Sequence, residues 1–152
     1  MKPLLLIGLG NPLMGDEGVG RLVVEQLAGD PRLPETVEVI CGGTDLLRYA
    51  GQMEGRSRVF VVDALQDDTE PGIVSIFNDA SSGLDERQEH AHHLSVYQAM
   101  ALLKMTTPTL FTLLGISIPT AAIKTGLSPV VEGRMPAILD RVLHELMRNS
   151  SN

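Results

Sequence analysis

Residues 4–20 read Leu4-Leu5-Leu6-Ile7-Gly8-Leu9-Gly10-Asn11-Pro12-Leu13-Met14-Gly15-Asp16-Glu17-Gly18-Val19-Gly20. Leu4 to Ile7 form an unbroken apolar run between Pro3 and Gly8. A strand without apolar-polar alternation is one buried on both faces, as in a parallel sheet covered by helices. The turn Gly8 to Pro12 ends it. Val19, Leu22, Val23 and Leu27 then recur at helical spacing until Gly29, which predicts an amphipathic helix starting near Asp16 to Gly18. Asp16 is its predicted N-cap.

The same strand-turn-helix alternation continues outward. Val37 to Cys41 predict a second strand, closed by Gly42-Gly43-Thr44 and followed by a short helix over about Asp45 to Met53. Val59 to Val62 predict a third buried strand that stops at Asp63. Ile73 to Phe77 alternate and predict a fourth strand at or near an edge. Asn78 to Ala91 form a long polar stretch, of a length that in a compact domain suits a lid. A helix over about His93 to Lys104 and a fifth strand over Thr109 to Leu114 follow. Ile116 to Pro129 read as irregular. The last helix runs from about Val131 to Arg148, with Met135, Ile138, Leu139, Val142, Leu143, Leu146 and Met147 on one stripe. Such alternation predicts a three-layer α/β sandwich. It has a mostly parallel five-stranded sheet, helices on both faces, and one domain over residues 1–152.

With 152 residues, 43% hydrophobic and 20% charged, the chain is long enough to bury a core built from aliphatic side chains. A net charge of −7 and only 3% aromatic residues oppose nucleic-acid binding, which needs cationic surface and stacking rings. A single cysteine, Cys41, excludes an internal disulfide and a cysteine-based metal site. No stretch approaches the roughly 20 apolar residues of a membrane span, and no signal pattern opens the chain, so a soluble cytoplasmic protein is expected.

Ligands of open α/β sheets bind beyond the carboxyl ends of the strands, where the winding reverses. If strands one and three are neighbours, Glu17 and Asp63 share one crevice. A carboxylate at the tip of a buried strand needs a hydrogen bond, an ion partner or a cation, so Asp63 either caps a neighbouring loop or serves a site. Glu17 either favours the helix macrodipole or joins Asp63. The run His90-Ala91-His92-His93 supplies imidazoles, ligands suited to nickel or zinc unless they are simply solvated. His144 lies on the polar side of the last helix. The glycine turn is not a dinucleotide fingerprint, because its third glycine is displaced and Pro12 removes an amide. No P-loop, nucleophile elbow or His-Glu-x-x-His motif is present.

The run Gly8 to Gly20 closely resembles the opening motif of the nickel-iron hydrogenase maturation endopeptidases. The resemblance continues through Gly42-Gly43-Thr44, Val61-Val62-Asp63-Ala64, Pro71-Gly72, His92-His93-Leu94-Ser95 and Gly126-Leu127-Ser128-Pro129. It implies a monomeric three-layer α/β enzyme that removes a short C-terminal extension from a hydrogenase large-subunit precursor after nickel insertion. It also implies that Glu17, Asp63 and His92 contact nickel supplied by that substrate, with His90 the second choice for the histidine. Glu17 and Asp63 are the implied catalytic pair, and Gly42, Gly43 and Thr44 the implied substrate contacts. The family usually carries an acid directly before Gly-Gly-Thr, where this chain has Cys41. That role is unfilled or passes to Asp45 or Asp16. Peptidyl-tRNA hydrolases share the Gly-Leu-Gly-Asn-Pro opening, but are longer and basic. A nickel-binding maturation chaperone that cuts nothing is the non-enzymatic alternative.

Overall fold

The computed structural model describes residues 1–67, 70–78, 94–119 and 125–150, with the side chains of Leu94 and Ser95 excepted. Strand β1 (Leu4–Gly8) is buried at every position and leads through a kinked 3-10 segment (Pro12–Gly18) into helix α1 (Val19–Ala28). Strand β2 (Val37–Cys41) precedes a 3-10 turn (Leu46–Tyr49) continuous with the short helix α2 (Ala50–Met53). Then come β3 (Arg58–Gln66), β4 (Val74–Phe77), α3 (Leu94–Thr106) and β5 (Leu110–Ile118). Helices α4 (Pro129–Glu132) and α5 (Met135–Ser150) close the chain.

The five strands lie in the order β2-β1-β3-β5-β4. All pairings are parallel except that of β4, which runs antiparallel to β5 at the edge. The sheet divides two apolar clusters, as the alternation of side chains along a strand requires. Leu4, Leu6, Phe60, Val62, Leu114 and Ile116 face α1 and α5. Leu5, Ile7, Val59, Val61, Phe111 and Leu113 face α2 and α3. This is the three-layer sandwich expected from the sequence. On the α5 stripe Met135, Ile138, Val142, Leu143 and Leu146 are buried, whereas Met147 is exposed.

Four expectations change. The expected last helix is two, α4 and α5, separated at Gly133 and Arg134. β3 does not stop at Asp63 but continues to Gln66, because β5 goes on supplying ladder partners, Asp63 to Gly115 through Gln66 to Ile118. β5 correspondingly runs to Ile118, through Ile116 and Ser117, which read as irregular. Asp16 is not the N-cap of α1. That position is Gly18, and the Asp16 carboxylate is spent elsewhere. The expected lid falls mainly on residues 79–93, outside the described residues.

β1 ends one residue before Asp63, its last register pair with β3 being Gly8 with Val62. There α1 meets the strands through glycine. A Cβ on Gly20 would stand 2.3 Å from the Val62 carbonyl oxygen, and one on Gly8 would stand 2.5 Å from the Gly20 carbonyl oxygen. Gly20→Ala is therefore expected to cost about 3 kcal/mol by overpacking. Gly29→Ala, at a position with nothing within 4 Å, should stay within about 0.5 kcal/mol of the parent. Urea denaturation of both variants measures the difference.

Candidate active site at the carboxyl edge of the sheet

The winding reverses between β1 and β3, since β2 lies on one side of β1 and β3 on the other. The crevice that opens at such a reversal is floored by the turn Leu9-Gly10. This turn is tied to both neighbours. The Leu9 amide donates to the Val62 carbonyl at 2.9 Å, the Gly10 amide to the Gly43 carbonyl at 2.9 Å, and the Gly42 amide to the Gly8 carbonyl at 2.8 Å. Tyr49 braces the far side, its hydroxyl accepting the Gly43 amide at 2.9 Å. Gly10 has φ 134°, and a Cβ there would meet the Glu17 carbonyl oxygen at 2.5 Å. The glycines thus let the backbone of Glu17 settle directly onto the strand tips.

A cleft of about 240 Å³ opens beside this floor. Leu9, Thr44, Asp45, Leu46, Leu47 and Asp63 line one side, and Val96, Gln98, Ala99 and Leu102 of α3 the other. Thr44 thus reaches the cleft that Asp63 lines. Gly42 is packed under the Tyr49 ring, and Gly43 has open space around its Cα. Asp45 caps the 3-10 turn, accepting the Leu47 amide at 3.1 Å, while also lining the cleft. Cys41 is exposed at the end of β2, and its thiol is pushed up by partial burial and by the Glu25 carboxylate, so it carries no charge at neutral pH. It cannot replace a carboxylate.

Asp63 is the electrostatic centre of the site. Burial pushes its carboxyl pKa from 3.8 up to about 7. The Ala64 amide, donating to Oδ1 at 2.8 Å, opposes that shift, and the negative charge of Glu17 adds to it. Two acids from separate connections, Glu17 before α1 and Asp63 on β3, therefore sense one another across the crevice. His90 and His92 lie outside the described residues. His144, the histidine among the described residues, is exposed on α5.

A family model described as HycI, hydrogenase maturation protease, matches residues 22–145. The chain belongs to this family of hydrogenase maturation proteases. It is 31% identical over 147 residues to the hydrogenase 2 maturation protease of Escherichia coli (strain K12), covering 94% of this chain and 90% of that one. The HupD hydrogenase expression/formation protein of Rhodobacter capsulatus is 28% identical over 148 residues, covering 94% of this chain and 70% of the relative. Among solved structures, the hydrogenase maturating endopeptidase HybD from E. coli superposes with a TM-score of 0.81 at 30% identity, covering 97% and 93% of the two chains. HybD from Thermococcus kodakarensis, at 24% identity and TM-score 0.76, shares the fold over 94% of this chain and 98% of its own. The membership makes the protein a protease, a hydrolase of peptide bonds. No helix among the described residues is long and apolar enough to cross a membrane.

One apolar feature was not read in the sequence. Leu47 and Leu102 line the cleft yet are exposed, at 43% and 54%. Leu47 lies on the 3-10 turn and Leu102 on α3, and packing of each element against the sheet decides its direction, so no local pattern marks it.

The raised Asp63 pKa has a consequence for stability. Below pH about 4 the carboxyl is protonated in folded and unfolded chains alike. Between 3.8 and about 7 the folded protein keeps a proton that the unfolded chain releases. Stability therefore falls as pH rises through that window, and the loss is complete above it. Asp63→Asn, which retains Oδ1 but cannot ionise, is expected to match the parent near pH 4. At pH 8 it should exceed the parent by about 2–4 kcal/mol. Chemical denaturation across this range, in chelator, checks the divergence.

Proposed function

We propose that the protein is an endopeptidase that removes the C-terminal extension of a nickel-loaded hydrogenase large-subunit precursor, with Glu17, Asp63 and His92 converging on the precursor's nickel ion. The observation carrying this reading is the Asp63 carboxyl lining the cleft, its pKa raised to about 7 by desolvation and by the charge of Glu17. A divalent cation bound there would offset both the desolvation of Asp63 and its repulsion by Glu17. Two carboxylates and an imidazole suit a first-row transition metal. His92 stands just ahead of α3 in the chain, and α3 lines the same cleft through Val96 and Ala99.

Recognition then follows from chemistry. A precursor without nickel offers the acids only repulsion and desolvation, whereas one carrying nickel offers charge and open coordination positions. The same ion can polarise the scissile carbonyl as a Lewis acid. A second reading of bond cleavage is favoured by the Asp63 pKa of about 7. At that value Asp63 suits a general base, taking a proton from the attacking water and returning it to the leaving amine, with nickel serving only as the recognition handle. In either case we read the enzyme as cytoplasmic and as a monomer, the latter being what the family resemblance implies.

The test is incubation with nickel-loaded and nickel-free large-subunit precursor, read as a mobility shift on a gel. Cleavage of the loaded form alone is expected. Glu17→Gln, Asp63→Asn and His92→Ala should each slow it by about 100-fold or more. Cleavage that survives all three substitutions would refute the residue assignment. Binding without cleavage would make the protein a nickel-binding maturation chaperone.

A further inference from the structure

We propose that Asp16 is a positioning residue, holding the segment that carries Glu17 against the strand tips near Asp63 through a paired hydrogen bond to Ser128. This inference rests on the reading of Glu17 as a site residue given above.

The segment carrying Glu17 cannot hold its own shape. Within Pro12–Gly18 the backbone leaves helical geometry at Met14 (φ −102°, ψ 30°) and at Gly15 (φ 64°, ψ −134°). The kink interrupts the regular run of helical hydrogen bonds, so the position of Glu17 depends on external fastenings. Glycine packing supplies the first from below, where Gly10 touches the Glu17 carbonyl and Gly18 lies against Pro12 and Asn11. The second comes from a part of the chain 112 residues away.

Asp16 is buried, 7% exposed, and both its carboxylate oxygens are used. Oδ1 accepts the Ser128 amide at 2.7 Å, and Oδ2 accepts the Ser128 hydroxyl at 2.7 Å. A second rung lies beside them, the Gly126 amide donating to the Pro12 carbonyl at 3.1 Å. Ser128 is the N-cap of α4, yet its side chain makes no capping bond within that helix and turns to Asp16 instead. The Asp16 carbonyl meanwhile accepts the Val19 amide, where the 3-10 segment passes into α1. Asp16 thus joins three pieces, the kinked segment, the start of α1 and the approach to α4, immediately beside Glu17. Of two consecutive acids, Asp16 is committed to this clamp, while the charge of Glu17 bears on Asp63. Charge-assisted bonds of this kind are short and directional, which suits a fastening whose purpose is placement.

The experiment compares cleavage of nickel-loaded precursor by the full-length protein and its variants, alongside hydrogen–deuterium exchange of each. Ser128→Ala and Asp16→Ala are expected to lower kcat/KM about tenfold. Amide exchange should rise in residues 12–20 and stay unchanged in the central strands. Ser128→Thr, which keeps both donors, should restore the parental rate and protection. In a Glu17→Gln background, assayed at high enzyme concentration in single turnover, Ser128→Ala should produce no further loss, because the group it positions is already gone. Three results would each overturn the proposal: kcat/KM within twofold of the parent for Ser128→Ala, exchange rising through the whole sheet, or the same tenfold loss with Glu17 absent. If Asp16→Ala does not fold, Ser128→Ala alone decides the matter. A parent protein that cuts nothing would instead sink the functional reading on which this one rests.

Discussion

The absence of any side chain at position 20 lets α1 lie on the backbone of β1 and β3 at the point where those strands separate. A methyl group there would stand 2.3 Å from the Val62 carbonyl oxygen, one residue before Asp63. Gly8, Gly10 and Gly18 extend the same contact along the turn and the 3-10 segment. Interiors packed at crystal density do not absorb an added methyl by small adjustments. The distance between Glu17 and Asp63 is accordingly set by main-chain contact, a more rigid reference than side-chain packing would be.

That rigidity gives the electrostatics of the crevice their meaning. A carboxylate on a mobile loop relieves repulsion by moving into water, whereas Asp63 is carried by a strand hydrogen-bonded to β5 on one side. Its carboxyl instead responds by holding a proton to about pH 7. The charge of Glu17 and the burial of Asp63 thus act together on one carboxyl at the strand tip, at some cost to stability above neutral pH. Strain of this kind is stored at functional sites when the surrounding fold over-determines the geometry. Among the described residues, the buried charged groups Arg56 and Glu145 are each paired. Arg56 donates to the Lys2 and Gln52 carbonyls and to Glu38, and Glu145 accepts from Arg148.

Much of this was legible in one dimension, and the misreadings share one cause. The apolar run Leu4–Ile7 marked β1 because a doubly buried strand must be apolar throughout. β3 was cut short at Asp63 because a charged residue looks like a strand end. Its ladder continues only because β5, some fifty positions later, supplies partners that no local window contains. Asp16 looked like a helix cap for the same reason, since its true partner is Ser128. Thr44 lines the cleft, whereas Gly42 is packed beneath Tyr49, a contact made across a turn.

The sequence by itself determined the class of fold, the order of its elements, the family, and the candidacy of Glu17 and Asp63. Each of these is written in periodicity or in residue type at a motif position. Only the tertiary structure decided the strand order that sets β1 beside β3, the close glycine seat of α1, and which of two adjacent acids is tied up by a distant serine. Those outcomes are contacts between segments far apart in the chain. Their energies depend on distances that a linear string does not contain.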